Sequence, residues 1–127
     1  MNKETVSNLL KEVRSLFIYT PDHILHPDYF DHWESHADAV ERGEIFRDDY
    51  GGFSLTTAEL LIRREAKPED VKIIFCNTET GGGHLVTSWK HWIIDNRQRD
   101  VRYWGDLHYK WISSMRMPEV SVWRKMV

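Results

Sequence analysis

His84 and Asp95 bound a segment, HLVTSWKHWIID, that reads as two strands, 84–88 and 91–95, around a tight turn. A turn centred between Trp89 and Lys90 sets His84 directly opposite Asp95 in an antiparallel pair. Directly opposed residues share one sheet face, with Cβ atoms about 4.5–5.5 Å apart. An Asp that holds an imidazole in one tautomer is the base-and-orienter half of a catalytic triad. An ordinary polar cross-strand contact has the same sequence signature, so the pair alone does not define an active site. Three glycines, ending at Gly83, precede His84 and leave room for another chain or a substrate.

A nucleophile for such a pair belongs at the N-terminus of a helix packed on the same sheet. There the helix dipole and the imidazole both stabilise a thiolate. The stretch RDDYGGFSLTTAELLIRRE, residues 47–65, reads as a loop running into a helix over about 53–65. The residue at the nucleophile position is Tyr50. A phenol has a pKa near 10 against about 8.5 for a thiol, and its oxygen stands at the far end of a ring. Tyr50 therefore overshoots the attack position and fills the pocket, and we expect no thiol-type amide hydrolysis or transamidation. Cys76 ends an apolar strand, VKIIFC, with no helix N-terminus aimed at it, and reads as a core or strand-end thiol. It lies eight residues before His84, across the connection 77–83, which keeps a second role open.

Two other clusters bear on chemistry. His23, His26, His32 and His36 fall in a short span, and His32 and His36 share a helix face, as a zinc pair would. No cysteine lies nearby and the spacing matches no zinc pattern, so a solvated polar face is the reading and no metal or cofactor is expected. Basic residues from Arg97 to Lys125 interleave with Trp104, Trp111 and Trp123, as in single-strand binding surfaces. Asp95, Asp100, Asp106 and Glu119 dilute that charge, which argues against nucleic acid. The same surface suits a protein interface, with Trp111 and Arg116 as anchors.

The elements that must position these residues follow from periodicity. Val6, Leu9, Leu10, Val13, Leu16 and Phe17 recur at helical spacing over 4–18. A second helix starts near Pro27 and ends at Gly43, and 66–70 is a turn. Strands follow at 71–76, 84–88, 91–95, 109–117 and 120–126. Helices first and strands after give an α+β fold, with N-terminal helices and a central helix packed on a C-terminal antiparallel sheet. The 127 residues fit one domain, 1–127. With 17 basic and 20 acidic residues, net −3, the chain lacks the charge of a nucleic-acid-coating protein. The N-terminus has no signal-peptide core and no run approaches a membrane span. The single cysteine excludes an internal disulfide. These features suit a soluble, cytoplasmic protein that meets no membrane.

The stretch 47–123 resembles the bacterial transglutaminase-like cysteine proteinases, a branch of the transglutaminase/papain-like superfamily. DDYGGF (48–53) stands at the nucleophile loop, GGHLV (82–86) at the histidine and IIDNR (93–97) at the aspartate. The helix, turn and strand between them, 58–75, keep the family's order, and about two-thirds of the chain is covered. The resemblance implies a transglutaminase-like core with His84 as general base and Asp95 as its orienter. Asn96 fits the family's Asp-Asn pair, and Asp49 the acid before the nucleophile. Tyr50 replaces the family's cysteine. Gly51 and Gly52 stand where many members carry acids, some of them calcium ligands, so no metal site is carried over. The resemblance then implies a pseudoenzyme that binds a protein or peptide in the old cleft. An active cysteine amide hydrolase or acyl-transferase with its nucleophile substituted is the alternative. A small intracellular effector, of a kind that would suit a phage, blocking a partner macromolecule is another.

Overall fold

The computed structural model describes residues 1–21 and 34–116. Helix α1 (Lys3–Leu16) is capped by Asn2, whose side chain accepts from the Thr5 N–H, and buries Val6, Leu9, Leu10 and Val13. Phe17, expected on this helix, instead opens strand β1 (Phe17–Tyr19). Strand β1 pairs in parallel with β2 (Phe46–Asp48), a two-stranded ribbon that the sequence did not announce. Between them lies the short helix α2 (Ala37–Glu41). The first part of the expected second helix, including Phe30, His32 and Trp33, lies outside the described residues, as do His23 and His26 and the expected strand 120–126; of the rest, only Ala37–Glu41 is helical.

The central helix α3 spans Tyr50–Arg63 and begins earlier than expected. Gly51 and Gly52, read as loop, form its first turn. Asp49 caps it by accepting from the Gly52 N–H at 3.1 Å. The helix is buried on most sides; Phe53, Leu55, Ala58, Leu60 and Leu61 meet the α1 residues and the sheet in one apolar core. Such all-round burial is what a helix between two layers requires.

The sheet contains β3 (Val71–Asn77), β4 (Gly83–Trp89), β5 (Trp92–Ile94), β6 (Arg102–Tyr103) and β7 (Lys110–Arg116), ordered β6-β5-β4-β3-β7 and antiparallel throughout. The fold is therefore α+β, as the element order predicts. Two hydroxyls tie α3 to β4. Ser54 Oγ donates to the Leu85 carbonyl at 2.9 Å, and Thr87 Oγ1 donates to the Ser54 carbonyl at 2.6 Å. The opposite sheet face carries a second small core of Cys76, Val86, Ile93 and Tyr109. Pairing between β3 and β7 slips after Phe75: Phe75 faces Ser113 but Cys76 faces Trp111, so Ile112 is an extra residue on β7. Among the described residues no helix is long and apolar enough to cross a membrane.

Candidate active-site dyad and cleft

The hairpin does bring His84 and Asp95 together, but by a different register. Trp89 pairs with Trp92, so the turn is Lys90–His91, with Lys90 at a left-handed φ of 53°. Extending the ladder one residue puts Asp95 opposite Val86 rather than His84. A slip of two residues leaves every side chain on its original face. His84 reaches Asp95 diagonally, with its Nε2 2.7 Å from Oδ1.

Asp95 is fully buried and saturated with donors. Oδ1 also accepts from the Arg97 N–H at 3.0 Å, and Oδ2 accepts from the Tyr109 hydroxyl at 2.6 Å. Burial alone would push this carboxyl up. The His84 hydrogen bond and charge, the Arg97 N–H and the Tyr109 hydroxyl outweigh it and hold the carboxyl below its usual range. Burial first, then the bond to Asp95, pushes the Tyr109 phenol up to about 12. Tyr109 in turn accepts from Arg97 Nη1 at 3.1 Å, and Arg97 is anchored by Glu79 at 2.7 Å. With Nε2 engaged by the carboxylate, Nδ1 is the ring nitrogen left to serve a reacting group. Among the described residues it has no hydrogen-bond partner.

Tyr50 is the first residue of α3, and its ring meets the His84 ring edge-on at 4.7 Å between centroids. Its other neighbour is Tyr19, stacked at 4.8 Å. Tyr19, Tyr50, Phe75 and His84 line a cleft of about 320 Å³, along with Asp49, Gly51 and Gly83. Asn96 follows Asp95, and its buried Oδ1 has no hydrogen-bond partner among the described residues. Trp111 is not at this cleft; it lines a groove on the outer sheet face. Cys76 is directly across β3–β4 from His84, but its thiol is buried and donates to the His84 carbonyl at 3.6 Å. Burial and the nearby Asp95 carboxylate push that thiol up to about 11, the opposite of an activated nucleophile.

His36 is not on a solvated face. Its Nε2 lies 2.8 Å from Oδ2 of buried Asp48, its ring stacks on Phe46, and its N–H donates to Thr56 Oγ1 at 2.9 Å. The bond to Asp48 holds the imidazole above its ordinary pKa. Asp48 Oδ1 accepts from the Asp49 N–H at 2.7 Å. A Cβ at Gly52 would fall on the Asp48 carboxylate, so the glycine is where that carboxylate sits.

Neither a protein-family model nor a curated protein sequence matches the chain. Solved structures do. Legionella pneumophila LapG, a bacterial transglutaminase-like cysteine proteinase, superposes with a TM-score of 0.65 at 18% identity, covering 90% of this chain and 70% of LapG. Its calcium-bound form gives 0.66 over the same shares. Its EGTA-treated form gives 0.64 over 88% and 67%. The chain thus has the transglutaminase-like core fold. Calcium does not fit the residues present. Among the described residues no three His, Cys, Asp or Glu side chains are grouped to hold a metal. Asp48 is engaged by His36, and Asp49 by the start of α3.

Proposed function

We propose that this chain is a degenerate transglutaminase-like peptidase domain. It retains the base and its orienter, lacks the thiol, and acts by binding a protein or peptide segment in the cleft beside Tyr50. In this reading His84 is the former general base and Asp95 fixes its tautomer. Asp49, Gly51 and Gly83 contact the guest. Asn96 offers its unpaired oxygen to a donor, and Gly52 makes room for Asp48.

The Tyr50 ring carries the reading. It stands edge-on to the imidazole and stacks on Tyr19, so it takes up the approach to His84 that a substrate carbonyl needs. A phenol so held brings no sulfur to a scissile carbon. It does offer, with Tyr19 and Phe75, an aromatic wall for an apolar side chain.

The expected outcome is no turnover of fluorogenic peptide amides by the wild-type chain. Peptide titration should instead move amide resonances at Tyr19, Tyr50 and Gly83. Wild-type turnover that disappears in His84→Ala would overturn the proposal. The completeness of the dyad favours a second reading, an active peptidase or acyl-transferase whose nucleophile has been substituted. Tyr50→Cys separates the two. A thiol at position 50 that reacts with iodoacetamide at least about tenfold faster than free cysteine, dependent on His84, means that the reaction centre survives. Peptide turnover by that variant supports the second reading.

A further inference from the structure

The outer sheet face holds a groove of about 350 Å³, distinct from the Tyr50 cleft. Its floor is apolar, from Ile74 and Ile93. One wall carries Trp104, whose backbone N–H donates to the His91 carbonyl at 3.1 Å, and the other is β7. A regular strand alternates its side chains and shows a groove every second residue. Because Ile112 is an extra residue, β7 lines this groove with Trp111, Ile112, Ser113 and Ser114 in succession.

The charge is one-sided. Lys72 and Lys90 line the groove, and no described Asp or Glu does, in a chain of net charge −3. Both lysines spring from one end of the sheet: Lys72 pairs with Ser88, and the Lys90 N–H is bonded to the Asp70 carbonyl at 2.8 Å. The Lys90 ammonium rests 4.9 Å from the Trp89 ring, a contact an anion could supplement. Trp111 is opposite Cys76, four residues further along β3 than Lys72. At about 3.3 Å per residue that is roughly 13 Å, a span shortened by two long side chains leaning into the groove. Trp104 remains 45% exposed at the rim, an indole face with apolar area still to bury.

We propose that this groove binds a free nucleotide, with the base against the Trp111 indole and the phosphate between Lys72 and Lys90. A flat ring joined to an anion matches a site with one indole, Trp111, at one end and ammonium groups at the other. The hydroxyls of Ser88, Ser113 and Ser114 supply donors for phosphate and sugar oxygens between them. A volume of about 350 Å³ lies within the range of small-ligand sites. Stacking on indoles accepts every base, so the site selects the nucleotide class rather than one base.

Calorimetry of the full chain with AMP and GMP tests this, with adenosine and inorganic phosphate as separate arms. AMP and GMP should bind saturably, at least tenfold more tightly than adenosine or phosphate alone. Lys72→Gln combined with Lys90→Asn should weaken AMP at least tenfold; asparagine tolerates the left-handed φ at position 90. Trp111→Leu, with its fold checked by circular dichroism, should weaken both AMP and adenosine. His84→Ala should leave AMP affinity unchanged, which separates this site from the Tyr50 cleft. Absence of saturable AMP and GMP binding would overturn the proposal. So would affinity indifferent to the lysine pair, or binding of oligo-dT without binding of any mononucleotide.

Discussion

Replacing Tyr109 with Phe removes one oxygen and should cost more than any surface change. That oxygen donates to Asp95 Oδ2 at 2.6 Å, and Asp95 is 0% exposed. The remaining donors, His84 Nε2 and the Arg97 N–H, both serve Oδ1. Oδ2 is left bare, beside a ring only 8% exposed. Hydrogen bonds to charged groups contribute about 1.5–3 kcal/mol, so a loss of about 2–3 kcal/mol at pH 7 is expected. Arg97 loses an acceptor too, but keeps Glu79. Urea unfolding followed by tryptophan fluorescence should show a midpoint lower by about 1–2 M. The pH dependence identifies the cause. Asp95 has a depressed pKa, so its stabilisation is present above the unfolded value and fades as pH falls through the folded one. The gap between wild type and Tyr109→Phe should therefore shrink below about pH 4. A loss under about 0.5 kcal/mol, or a gap equal at pH 7 and pH 3, would refute the reasoning.

Two shorter predictions concern the surroundings of the dyad. With a pKa near 11, the Cys76 thiol is about one part in a thousand thiolate at pH 8, and it is buried. Mass spectrometry should find iodoacetamide labelling of the native chain no faster than global unfolding, and quick labelling would restore a reactive role for Cys76. Gly52→Ala places a methyl on the Asp48 carboxylate, which His36 and the Asp49 N–H hold in place. Overpacking of this kind costs about 1–3 kcal/mol, so calorimetry should show Tm lower by about 5 °C or more; an unchanged Tm would show that Asp48 moves freely.

How much of this was legible in the chain depended on range. The His84–Asp95 pair was readable because a hairpin is local and its side chains have period two. Misplacing the turn by one residue moved the partner by two and changed no face. The start of α3 was misread because two glycines in succession signal a loop. Here they are helical: Asp49 caps the turn and Asp48 fills the space a side chain at position 52 would need. Tyr109 left no local signal at all. It meets Asp95 only after the chain passes through β6 and returns, and no spacing rule encodes that path. His36 looked solvated because its partner, Asp48, is twelve residues away, on a ribbon formed by two strands too short to show a pattern. Trp111 was legible as an interface anchor, but its place opposite Cys76, lining the outer groove, depends on a strand pairing that no local pattern encodes.

The single supernumerary residue at Ile112 also has a meaning for descent. Deleting its codon would bring β7 back into step with β3, leave Trp111 opposite Cys76, and remove one of the four successive residues that wall the outer groove. Strand β7 is outermost among the described strands, with β3 as its only described neighbour, so the frame of contacts around β4 would absorb the deletion. A lineage can thus reshape one wall of the outer groove by one three-nucleotide event, while the imidazole and carboxylate of the dyad stay where they are.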